Sequence, residues 1–159
     1  MNASLVQARS EQIWFLDTLI TIRVGHHDGG DGISILESRA PFRHSPPLHV
    51  HHTEDEVFQV LEGELRLRVG GDELRAVAGD VHLAPKGVPH TFRVESEAGA
   101  RWLVTTARGD FERFVRELGG PAETPELPPH SGPPTPEQVT ALASVAEAHR
   151  IELVGPPLA

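Results

Sequence analysis

Between residues 57 and 94 the chain repeats one pattern, a short strand-like run, a glycine-bearing turn and another short run. Leu65, Leu67 and Val69 alternate with Arg66 and Arg68, as in a strand with one buried and one solvated face. Glu62-Gly63-Glu64, Gly70-Gly71-Asp72-Glu73 and Ala78-Gly79-Asp80 have the composition of tight connections. Short strands at such spacing restrict the chain to an antiparallel sandwich, jelly roll or barrel, an all-β class. Residues 13–24, rich in β-branched and aromatic side chains, read as one strand, and residues 33–39, 101–107 and 151–154 read as further strands.

The character changes after Arg108. Asp110 is expected to cap a helix with Phe111, Phe114, Val115 and Leu118 on one stripe, ended by Gly119-Gly120. Residues 121–134 are proline-dense and read as an extended connector. Thr135-Pro136-Glu137-Gln138 is a capping-box start for a second helix running to about His149. The expected organisation is a barrel over residues 1–110, including the N-terminal strands, with residues 111–159 supplying helices and connector that pack on it.

Composition narrows the chemistry. With no Cys, disulfide, thiolate-zinc, iron–sulfur and thiol-nucleophile sites are excluded. A net charge of −9, from 23 acidic and 14 basic residues, is not the electrostatic footprint of a nucleic-acid binder. Residues 1–10 lack a basic flank followed by an apolar run, and nothing approaches the ~20 apolar residues of a membrane helix. The expected setting is cytoplasmic, away from any membrane.

The histidines carry the chemical signal. His49 and His51 alternate within a strand-like run, so they share a face and can grip one object. Glu54, Asp55 and Glu56 follow, and parity alone does not choose among them. His90 lies a hairpin or two away, where a facing strand can bring it close. Imidazoles and a carboxylate in this combination suit a divalent transition metal with positions left open. His52 falls on the opposite face. His26, His27, His44, His130 and His149 sit in loops or helices without a partner pattern and read as ordinary polar residues, while His82 is ambiguous between strand surface and pocket.

These residues resemble the two motifs of the cupin superfamily. The first, Gly, five residues, His-x-His, three or four residues, Glu, six residues, Gly, is matched by His49, His51, Glu56 and Gly63. The second, Gly, five residues, Pro-x-Gly, two residues, His, three residues, Asn, is matched by Gly79, Pro85, Gly87 and His90. The leading Gly position is Arg43 and the closing Asn position is Val94, two departures that bear on turn geometry. The resemblance implies a cupin jelly-roll barrel with a short helical tail. It also selects Glu56 as the carboxylate, giving His49, His51, Glu56 and His90 as ligands of one divalent ion (Ni, Mn, Co, Fe, Cu or Zn).

Flanking segments at residues 17–22, 109–122 and 151–158 resemble single-domain, quercetinase-like cupins, whose characterised members open flavonols with dioxygen. The implied function is a metal-dependent dioxygenase acting on an aromatic substrate, with Glu56 also serving as base. Burial is expected to lift its pKa toward the working pH. Phe58 and Phe92, each two residues beyond a ligand, are expected on the inward face as a substrate wall, or as plain barrel core. The alternatives are another metallocupin enzyme (isomerase, cyclase or hydrolase) and a non-catalytic small-molecule-binding cupin. The absence of Tyr counts against the epimerase branch, which commonly uses a tyrosine acid. The family also implies a homodimer to which residues 13–24 contribute.

Overall fold

The computed structural model describes residues 11–159; residues 1–10, read above as carrying no targeting segment, lie outside them. Ten strands come first: β1 Glu11–Phe15, β2 Thr18–Val24, β3 Ser34–Ala40, β4 Leu48–His51, β5 Glu56–Glu62, β6 Glu64–Val69, β7 Asp72–Val77, β8 Val81–Ala84, β9 His90–Val94 and β10 Ala100–Thr106. Helix α1 (Asp110–Leu118), a two-residue β11 (Gly120–Pro121), helix α2 (Pro136–Ala148) and β12 (Ile151–Gly155) complete the chain. All strand pairs are antiparallel. They form one sheet in the order β11-β1-β2-β3-β10-β5-β8 and a second in the order β12-β4-β9-β6-β7, the jelly roll anticipated from sequence.

The alternation that suggested strands decides which residues fill the space between the sheets. On β6, Leu65 and Leu67 are buried while Arg66 and Arg68 face outward, where Arg66 pairs with Glu95 at 2.9 Å. On β10, Ala100, Trp102, Val104 and Thr106 are buried. One core cluster lies around Phe58, Val60, Leu65, Leu67, Phe92 and Trp102. A second joins Ile13, Phe15, Ile20, Ile22 and Leu36 to Phe114, Val115, Ala146 and Ile151 from the C-terminal segment.

Two local expectations are corrected. Residues 13–24 form two strands rather than one, because the chain reverses at Leu16 (φ 54°) and Asp17, and Thr18 Oγ1 closes the turn on the Phe15 carbonyl at 2.5 Å. A left-handed Leu has no sequence signature, since αL residues are usually Gly or Asn. Asp110 does not cap α1. Gly109 takes that position at φ 76°, and the Asp110 carboxylate instead accepts from Thr53 Oγ1 at 2.5 Å and Arg113 at 2.6 Å. Gly109 is required there, since a Cβ would stand 2.4 Å from the His26 ring.

Helix α2 begins with the expected capping box. Thr135 accepts from the Gln138 N–H while the Gln138 side chain accepts from Thr135 N–H. Its face toward the barrel is thin, with Ala146 fully buried and Leu142 and Val145 packed beside it. The proline-dense connector crosses β1, where Trp14 Nε1 donates to the Glu126 carbonyl at 2.8 Å. β12 then runs beside β4, pairing Ile151 with His51 and Leu153 with His49.

Candidate metal centre

Strand pairing brings the histidines together. β4 carries His49 and His51 two residues apart, and its register with β9 sets His49 directly opposite His90. Glu56 opens β5 in the facing sheet and points back between the layers. Donor atoms of His49, His51, Glu56 and His90 all lie within 4.8 Å of one another. The ring centroids stand 4.5 Å apart for His49 and His90, 5.2 Å for His49 and His51, and 5.4 Å for His51 and His90. His51, Glu56 and His90 are each no more than 2% exposed.

Each imidazole is held by its outer nitrogen or its near surroundings. His49 Nδ1 meets the Pro47 carbonyl at 2.7 Å and His90 Nδ1 the Val88 carbonyl at 3.0 Å. A carbonyl only accepts, which assigns the proton to Nδ1 and leaves each Nε2 with a lone pair. His51 Nδ1 lies 3.4 Å from Glu54 Oε1, and that carboxylate is fixed by accepting the Phe111 N–H of α1 at 2.6 Å. Oriented imidazoles with outer nitrogens tied to carbonyls or carboxylates are what metal-ligating histidines need.

The protein leaves this cluster electrostatically unfinished. His90 Nε2 stands 2.6 Å from Glu56 Oε2, so with the His90 proton on Nδ1 two lone pairs face each other unless a cation lies between them. His51 Nε2 is 3.3 Å from the same Glu56 oxygen, yet both ring nitrogens of His51 are buried without a hydrogen bond. Orphaned buried nitrogens converging on a carboxylate fit a divalent transition-metal ion.

Burial pushes the His49 pKa down to about 3, with His90 and His51 adding to the effect. For Glu56 burial acts upward, but the facing imidazoles, His51 first and then His90 and His49, outweigh it and hold the carboxyl at about 2. The expectation that burial lifts this group is therefore corrected. Its apolar surroundings matter less than the imidazoles converging on it, and the carboxylate stays ionised. His51 moves upward, because Glu56 and Glu54 overcome the desolvation that opposes its charge.

A cavity of about 80 Å³ opens beside the cluster. Phe58 and Phe92 both line it, as do His44, Trp102, Phe111 and Leu153. The other acidic neighbours have different work: Glu54 is the support just described, and Asp55 accepts the Lys86 N–H at 2.9 Å. His52 points away, half exposed, onto Glu152 at 2.8 Å. His82, on β8, pairs in register with Phe58 of β5, outside the cluster. Sequence reasoning missed Glu54 as a support and His44 and Trp102 as cavity residues. Glu54 had a signal in its offset of three from His51, and Trp102 in its alternation with Val104; His44 lies in a loop and had none.

A family model described as "Cupin domain" matches residues 36–106. Quercetin 2,3-dioxygenase from Bacillus subtilis (strain 168) is 28% identical over 127 residues, 80% of this chain; the chain spans 37% of that relative's length. Among solved structures, a sugar phosphate isomerase of the cupin superfamily from Silicibacter pomeroyi is 26% identical, with a TM-score of 0.51, over 58% of this chain and 60% of the other. The polyketide cyclase RemF from Streptomyces resistomycificus shares the fold, with a TM-score of 0.55 and 22% identity over 65% of this chain and 78% of that one.

Proposed function

The chain belongs to the cupin superfamily, and on that premise we propose that it is a metal-dependent dioxygenase opening a flavonol or a similar enolic aromatic, as quercetin dioxygenases do. The observation that carries this reading is the set of four converging donors, His49, His51, Glu56 and His90, three of them buried, beside a cavity walled by aromatic side chains. The likeness to the Bacillus relative supports it.

The three imidazoles and Glu56 would hold the ion. When bound, a divalent ion supplies Lewis acidity that lowers the pKa of an enolic hydroxyl. Glu56, ionised and at the cavity wall, accepts the hydroxyl proton on its carboxylate. Phe58, Phe92 and Phe111 exclude water and press on the faces of a flat ring. The deprotonated ring is electron-rich, dioxygen adds across it, and one ring carbon leaves as carbon monoxide while both oxygen atoms enter the ester product. A cavity of about 80 Å³ holds a few waters rather than a fused aromatic, so substrate entry displaces wall side chains. The thinly packed α2, which contributes Leu142, is the wall that gives way.

Oxygen uptake by protein reconstituted with Ni, Mn, Co, Fe or Cu, measured against a panel of flavonols and other enolic phenols, tests this reading. Uptake with release of carbon monoxide supports it, and no uptake with any metal overturns it. As the family pairs into homodimers, we also propose a dimer, checked by light scattering of the eluting protein.

A further inference from the structure

Away from the four donors, the polar side chains that line the cavity beside Glu56 are Thr18, Ser38, His44 and Trp102. Thr18 reaches it, but its hydroxyl is already committed to the Phe15 carbonyl. Among these, the indole of Trp102 is set apart by its missing partner. It is 2% exposed, and its Nε1 is buried without any acceptor among the described residues. The other tryptophan shows that the fold does satisfy an indole where it can, for Trp14 Nε1 donates to the Glu126 carbonyl. An unpaired donor inside a protein is rare and costly, and marks a place where a partner from outside belongs.

The ring is held firmly. Trp102 stands on β10 between Ser38 of β3 and Val60 of β5 in register, and packs edge-on against Phe92 at 4.9 Å. Phe92 lines the same cavity as Glu56 and His51. Two groups therefore border the cavity, an accepting carboxylate at the ligand cluster and the indole of Trp102 on the β10 wall.

We propose that Trp102 is a substrate-positioning residue whose indole N–H donates to an oxygen acceptor, a ring carbonyl or phenolic oxygen, of the aromatic molecule that reaches Glu56. This rests on the reading under Proposed function and narrows it: the occupant carries an acceptor oxygen remote from the hydroxyl that Glu56 deprotonates. Hydrocarbon rings of equal size lack that partner and bind more weakly, because the site gains nothing for its buried donor.

The test uses ¹⁵N-labelled, zinc-loaded protein, in which quercetin binds without redox turnover, and follows the two indole N–H resonances, assigned with Trp14→Phe. Quercetin moves the Trp102 resonance downfield and leaves that of Trp14 in place. Trp102→Phe, which keeps an aromatic ring but removes the donor, binds quercetin about tenfold more weakly by calorimetry, with metal content unchanged. An unmoved Trp102 resonance at saturating quercetin, wild-type affinity in Trp102→Phe, or no quercetin binding by wild type overturns the proposal. Oxygen uptake separates the two readings. A shifted resonance without uptake under any metal removes the dioxygenase reading alone, whereas uptake with an unmoved resonance removes the Trp102 role alone.

Discussion

Glu56 Oε2 lies 2.6 Å from His90 Nε2, although the two residues are thirty-four apart in the chain and stand in different sheets. The contact joins the two layers at the point where the His49–His90 register brings a third donor alongside. With the His90 proton on Nδ1 a shared cation relieves that approach, and removing the carboxylate charge weakens the hold on one. Glu56→Gln is expected to retain far less metal than wild type after dialysis, read by elemental analysis, while His52→Ala, on the outer face, retains it fully.

Glu54, 2% exposed, approaches the cluster at His51, whose Nδ1 lies 3.4 Å from its carboxylate. It orients the His51 ring and at the same time receives the Phe111 N–H. Glu54→Gln keeps an acceptor for that N–H but weakens the hold on His51. Metal affinity measured by competition with a chelator is expected to fall about 10–100-fold, with helix content by circular dichroism unchanged.

His44 lines the cavity, and burial pushes its pKa from 6.5 down to about 4, opposed by the charge of Asp17. In this window the unfolded chain takes up a proton that the folded chain refuses. The stability contribution is therefore complete above pH 6.5 and is lost as pH falls toward 4, amounting to about 3 kcal/mol over the full shift. Urea unfolding from about pH 7 to about pH 4.5 is expected to show a shallower loss of stability in His44→Phe than in wild type. Equal slopes would show that His44 does not titrate this way.

Arg43 and Val94, the two positions that depart from the cupin motifs, meet in the fold. The Arg43 N–H donates to the Val94 carbonyl at 2.9 Å, and the Val94 N–H to the His44 carbonyl at 2.9 Å. Arg43 sits at φ 67°, a left-handed conformation that costs a side-chain-bearing residue about 1–2 kcal/mol, partly offset by the extra chain entropy of glycine. Arg43→Gly is expected to raise the melting temperature by about 2–4 °C, and a lower value would show that the Arg43 side chain, packed over Phe42 at 5.1 Å, contributes more than the strain removes.

Much of this was legible along the chain because it depends on period and spacing. Leu65, Leu67 and Val69 announced a strand whatever its neighbours were, Thr135 and Gln138 announced a helix start, and the residues matching the cupin motifs picked Glu56 from three adjacent carboxylates. Turns made by residues with no turn signature were not legible, Leu16 foremost among them. Nor was the pKa of Glu56, since its direction follows from which side chains face it across the gap between sheets, and the apolar burial that sequence suggests pulls the other way.

Alternation and motif spacing, which are local properties of the chain, were enough to set the strand pattern and to nominate His49, His51, Glu56 and His90. Tertiary structure alone decided the rest: that His90 pairs opposite His49, that Glu54 braces His51, that His44 and a Trp102 with an unpaired N–H face the same cavity, and that the C-terminal strand closes beside β4. The reason is physical. Side-chain period is carried by the backbone of one strand, whereas distance, desolvation and hydrogen-bond satisfaction depend on neighbours that only strand registry and sheet packing supply.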